Sequence, residues 1–165
     1  MNLAEAIAVL ERAVPSPSQG LPDEVFYYIS RTTPMVNVDL LIQDDKKRTL
    51  LAWRDDPLAG KGWHLPGGII RFKETFAQRV QKVAQTEVGV EQIEFDPVPL
   101  AVNEIILKDF DDRGHFISIL YRCWLPAGFK PENKGRSPRD VGFLAWHESP
   151  PADLLKLQDF YRKFL

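Results

Sequence analysis

One cysteine, Cys123, is all that the 165 residues contain. A disulfide within the chain is excluded, which fits a reducing compartment, and a cytoplasmic protein is expected. Cys123 lies in the apolar-rich run Ile117 to Leu125, where a buried inert thiol is expected rather than a nucleophile. No charge of one sign dominates: the formal net charge is −2. Neither a nucleic-acid partner nor a membrane surface is expected, because both select a basic excess or stripe. No apolar run reaches the length of a membrane span. Residues 2–13 carry Glu5 and Glu11, so they lack the uninterrupted apolar core of a signal peptide. No internal repeat is visible. What is present, 44% hydrophobic and 27% charged residues, describes a soluble globular chain with a sizeable core.

The pattern along the chain predicts a mixed α/β domain spanning 1–165, with helices at both ends. Residues 1–21 read as an N-terminal helix and linker, and 22–165 as the core. Leu3, Ile7 and Leu10 fall on one side of a helix over 2–13, and Pro15 to Gly20 form the linker. A second helix over 22–31 begins with Pro22, Asp23 and Glu24, which suit its first turn. Alternation from Met35 to Gln43 predicts a strand with Val36, Val38, Leu40 and Ile42 on one face and Asn37, Asp39, Leu41 and Gln43 on the other. A return strand runs from Thr49 to Arg54, and 55–61 read as a loop. Apolar, β-rich stretches follow near 92–107 and 115–125, then a strand over 141–147. Leu154, Leu155, Leu157, Phe160, Tyr161 and Phe164 recur at helical spacing over 151–164.

Between these lies a Gly67-Gly68 turn and a helix expected over 75–87. Thr75 with Gln78 forms a capping-box pattern at its start, and Gly89 suits its C-terminal end. At about 100° per residue, Phe76, Val80, Val83 and Ala84 make one apolar stripe, with Glu87 in its middle. A carboxylate there must be paired, protonated or bound to a metal.

The stretch Gly68 to Val90 resembles a Nudix box: Gly68, Glu74, Ala84, Glu87, Gly89 and Val90 stand in register with it. Lys82 stands in place of the box arginine, and Val83 and Thr86 in place of two helical glutamates. The resemblance extends over roughly 22–125, through Arg31 to Asp39, Leu50 to Arg54 and Pro57 to Trp63, and is most similar to the GDP-mannose mannosyl hydrolase subgroup. It implies the Nudix fold, a mixed sheet sandwiched between helices. The subgroup keeps only the last helical glutamate and attacks the anomeric carbon rather than phosphorus. One Mg²⁺, or Mn²⁺ in its place, then suffices, because only a leaving diphosphate must be stabilised.

The resemblance implies Glu87 and the Gly67 carbonyl as metal ligands. Arg54 would contact the leaving diphosphate through its planar fork, with Asp39 near the nucleotide and metal. Lys82 would stand in for the box arginine, and Glu74 is structural. Ile69 occupies the position of a leaving-group arginine, and Arg71, two residues on, is the expected substitute. The subgroup's loop histidine is missing between 132 and 140. Asp140 is the first candidate there for base or oxygen ligand and Glu132 the second, while His115 and His147 are expected at the surface and His64 near the site. A nucleotide-sugar substrate and a homodimer are implied. Two alternatives stand: a pyrophosphohydrolase cutting between the phosphates, and a reduced box serving as a nucleotide-sugar binding module.

Overall fold

The computed structural model describes residues 2–58 and 60–165; Ala59, within the expected loop, lies outside them. Helix α1 (Leu3–Ala13) begins on an Asn2–Glu5 capping box and has no buried residue. Helix α2 (Asp23–Thr32) follows the linker. Strand β1 (Met35–Ile42) is the centre of a mixed sheet. It pairs in parallel with β7 (His115–Trp124) and antiparallel with β4 (Gly67–Ile69). On its far edge β7 pairs antiparallel with β5 (Glu94–Phe95) and β6 (Ala101–Ile106). A second, antiparallel sheet has the order β3 (Gly60–His64), β2 (Thr49–Asp56), β8 (Leu144–His147).

Strand β1 is buried on both faces, so two cores meet at it. Val38, Leu40 and Ile42 pack with Val80, Val83 and Ala84 of helix α3 (Phe76–Val83) and the turn after it. Leu41 packs on the opposite side with Leu51, Leu120 and the fully buried Tyr161. Fully burying a side chain of this size contributes about 1.5–3 kcal/mol, so Leu40 and Leu41 anchor the strand from both sides.

Four expectations are corrected. The expected loop over 55–61 is shortened by strand at both ends: β2 extends to Asp56 and β3 begins at Gly60, in a register that pairs Arg54 with Gly62. Helix α3 stops at Val83 and continues as a π-helical turn, Ala84–Val88, where the Gly89 amide bonds back to the Ala84 carbonyl at 2.9 Å. Phe76 leaves the apolar stripe and is exposed. Residues 151–164 hold only a 3₁₀ turn, Lys156–Tyr161. Ahead of it the chain is extended against β3: Trp63 donates to the Asp153 carbonyl and Leu155 donates to the Trp63 carbonyl, each at 2.9 Å. Those bonds to β3 outweigh the helical spacing of the leucines.

Candidate active site

Strand β4 runs from Gly67 alongside β1, so Gly67 stands directly opposite Asp39. A side chain at Gly67 would run into the Asp39 carboxylate and approach the Val38 carbonyl to 2.9 Å, so only glycine admits this contact. From the other side, the π turn after α3 brings Glu87 to the same glycine: the Gly67 N–H donates to Glu87 Oε2 at 3.3 Å. The carboxylates of Asp39 and Glu87 thus flank Gly67. They line a cleft of about 530 Å³ bounded by β1, β2, β4, the turn after α3 and the 107–114 loop.

Asp39 is 4% exposed. Its Oδ2 accepts from Asn37 Nδ2 at 2.7 Å, from the Tyr161 hydroxyl at 2.7 Å and from the Ser118 hydroxyl, which also touches Tyr161. Burial nevertheless raises its pKa, against those donors and the nearby Arg54. Burial also pushes Glu87 up to about 7; the Gly67 N–H and Arg54 act the other way, and Asp39 adds to the rise. Tyr161 is held protonated by burial and by Asp39, which keeps it a donor.

On the β2 side stand Arg54, Asp56 and His64. Arg54 Nε lies 3.4 Å from Asp56 Oδ2. His64 is buried and pushed down to about 3 by desolvation and by Arg54, with Asp56 opposing. It is therefore neutral at neutral pH, and its Nδ1 is buried without a partner. At the rim, the Arg71 guanidinium lies against Gly20 of the linker.

Glu74 Oε2 collects the Arg71 amide and the Arg79 Nε and Nη2, all at 2.8 Å, which closes the 70–75 turn onto α3. Of the residues expected at the site, Asp39, Arg54, Gly67, Arg71 and Glu87 line the cleft together, with Ile69 and His64. Lys82 and Asp140 do not. Lys82 is exposed on the outer side of α3, about 140° around an ideal helix from Glu87. Glu74 takes its cation from Arg79 instead. Asp140 is exposed and closes its own turn, accepting from the Ser137 amide at 2.6 Å. That loop is pinned to the Trp53 side of β2 by Gly142, which donates to the Trp53 carbonyl at 2.8 Å, and by Arg139 over the Trp53 ring. Neighbouring strand residues face opposite ways, so the loop misses the Arg54 side. Glu132 is exposed beside Lys134; His115 faces Glu104, and His147 packs on Trp63.

Sequence reasoning missed Asp56, Arg113, Ser118 and Tyr161. Its one available signal was the polar pair Asn37 and Asp39 on one face of a strand whose other face is wholly apolar.

No group of three or more acidic, histidine or cysteine side chains able to hold a metal occurs among the described residues. Two converging carboxylates, both pushed toward protonation by burial, still form a donor set that fits one hard cation. Mg²⁺ characteristically takes one or two carboxylates and completes its shell with water and phosphate oxygens.

A strand that delivers a glycine to a buried carboxylate, and a helix end that returns a second carboxylate to that glycine, build the site on one strand–loop–helix unit of a mixed α/β domain. The NUDIX domain model matches residues 33–165, and the chain belongs to the Nudix hydrolase family. Over 75 residues the chain is 33% identical to the low-salt glycan biosynthesis protein Agl8 of Haloferax volcanii; the match covers 46% of this chain and 47% of that protein. The chain thus matches about half the length of this curated relative. Similar solved structures include a possible asymmetric diadenosine tetraphosphate hydrolase from Jonesia denitrificans (TM-score 0.57, 18% identity, 78% of this chain and 89% of that one). A UDP-X diphosphatase aligns with TM-score 0.57 at 17% identity over 98% of this chain and 87% of that one. These structures establish the fold.

Proposed function

We propose that the protein is a Mg²⁺-dependent hydrolase of a nucleoside-diphosphate sugar, similar to GDP-mannose mannosyl hydrolases, that releases the nucleoside diphosphate and the free sugar. The observation that carries this reading is the sparse acidic centre. Glu87 and Asp39 flank Gly67, while Val83 is buried in the core and Thr86 bonds its own helix through the Lys82 carbonyl at 2.9 Å. Attack on phosphorus draws on several cations and a carboxylate cluster; departure of a diphosphate from carbon needs charge neutralisation of the leaving group only.

In this reading Glu87, the Gly67 carbonyl and Asp39 would hold Mg²⁺, which supplies Lewis acidity toward the diphosphate oxygens. Arg54 and Arg71 bind the diphosphate. Water adds its oxygen to the anomeric carbon, the bond from that carbon to the diphosphate oxygen breaks with its electron pair on the diphosphate, and a proton of the water is released. The likeness to a protein named for glycan biosynthesis supports a sugar nucleotide over other nucleotides. The homodimer belongs to the same proposal; the exposed Leu3, Ile7, Val9 and Leu10 of α1 support it.

Turnover of GDP-mannose, GDP-glucose and ADP-ribose in ¹⁸O-water tests the chemistry. Label is expected in the free sugar. Label in a phosphate would overturn the reading in favour of pyrophosphohydrolysis. Tight binding without Mg²⁺-stimulated turnover would overturn it in favour of a binding module.

A further inference from the structure

Asp56, the last residue of β2, is 4% exposed and stands between two arginines. Arg113 Nη1 donates to both of its oxygens, at 3.2 and 2.9 Å, and Arg54 Nε lies 3.4 Å from Oδ2. Both arginines line the cleft. Asp56 Oδ1 also accepts from the Leu58 amide at 2.9 Å. Arg113 Nε is buried and unpartnered.

The 107–114 loop is built to hold Arg113 there. Its φ is 55°, in the left-handed region that non-glycine residues rarely adopt. Its amide donates to Ser30 Oγ of α2 at 3.1 Å. The loop closes through Leu107, whose amide donates to the Gly114 carbonyl at 2.7 Å. Gly114 has no room for a side chain against the Phe110 carbonyl. Arg54 already faces Asp56, so neutralising that carboxylate does not require a second arginine held in a strained backbone. Arg113 therefore adds a second guanidinium to a cleft wall that already carries Arg54, and an anion entering the cleft meets both.

We propose that Asp56 aligns Arg54 and Arg113 as a paired guanidinium clamp for the substrate's diphosphate, and that Arg113 joins Arg71 in supplying the leaving-group charge absent at Ile69. The identity of the anion rests on the function proposed above. Planar forks suit neighbouring phosphate oxygens, which each can engage in pairs.

Inorganic pyrophosphate with Mg²⁺ serves as the probe, because its binding by calorimetry needs neither a particular base nor catalysis. Arg113→Ala is expected to weaken pyrophosphate binding by roughly ten-fold or more, with Arg113→Lys intermediate. The same factor is expected when Arg113→Ala is made on an Asp56→Asn background. That background leaves no buried unpaired carboxylate, and its thermal melt is the check that the variant folds. Pyrophosphate affinity that survives Arg113→Ala, or a loss confined to the chain with Asp56 intact, would overturn the clamp and make Arg113 a neutraliser of Asp56. An Arg113-dependent pyrophosphate site in a protein that turns over no nucleotide sugar leaves the clamp standing and removes the proposed function. Undiminished kcat/KM for a nucleotide sugar in Arg113→Ala does the reverse.

Discussion

Glu87 couples the acidity of the cleft to the stability of the whole chain. Its carboxyl titrates near 4.5 unfolded and is pushed up to about 7 by burial in the folded protein. Between these values the folded chain holds one proton more than the unfolded chain. Stability without metal therefore falls as pH rises from 4.5 to 7 and stays low above. The loss is of order 2 kcal/mol once solvent in the cleft is allowed for. Glu87→Gln removes that titration. It is expected to raise the metal-free Tm at pH 8, and to abolish both the Mg²⁺-induced rise in Tm and turnover. A variant that keeps its Mg²⁺ response would rule Glu87 out as a ligand. In the wild type, Mg²⁺ affinity should climb through pH 7 and level off above, because the cation competes with a proton. Tyr161 gives a second test. Tyr161→Phe deletes one of three donors to Asp39 Oδ2 while Asn37 and Ser118 remain. A loss of about 1–2 kcal/mol is expected in denaturant unfolding; an unchanged midpoint would show that the hydroxyl contributes nothing net.

At the scale of elements, α3 and its exit turn place the metal-side carboxylate. Gly89 caps that turn with φ 84°. Gly89→Ala meets open space but a strained backbone, and is expected to cost about 1 kcal/mol. Faster hydrogen exchange at the Gly89 and Val90 amides, which bond to the Ala84 carbonyl, would locate the damage; unchanged exchange there would contradict it. This helix was legible in the sequence because its signals are local: Thr75 and Gln78 cap its start, and Val80, Val83 and Ala84 face the core. Strand β1 was legible for the same reason, through its period of two. Strand β3 was not, since Gly60, Lys61 and Gly62 carry no strand propensity and are held by pairing with β2. The C-terminal leucines misled because their spacing fits a helix equally well. The wider site was hidden by sequence distance: Asp56 meets Arg113 57 positions away, Asp39 meets Ser118 79 away and Tyr161 122 away. No local pattern reports such contacts.

For the molecule as a whole, the cleft and the N-terminal helix are separable. Helix α1 has 11 residues and buries none of them, and a helix that short is marginal in water on its own. Deleting residues 2–14 is therefore expected to shift Tm by no more than about 2 °C and to leave kcat unchanged, while Pro17, Gly20 and Leu21 remain beside the cleft. Sedimentation velocity on the intact chain and on the same variant tests the proposed homodimer: an intact chain that sediments as a monomer overturns it, and a dimer lost on deletion assigns the contact to α1. No helix among the described residues is long and apolar enough to cross a membrane.

The π-helical turn at Ala84–Val88 has a consequence for how this chain tolerates changes in length. The wide turn counts one residue more than an α-helical exit would, and the count sets where Glu87 points. Gln85 and Thr86 are exposed, so by burial alone a single-residue deletion there looks harmless. It would nevertheless rotate the carboxylate about 100° around the axis and away from Gly67. Lineages of this protein should therefore accept substitutions at Gln85 more readily than a gap anywhere in the turn.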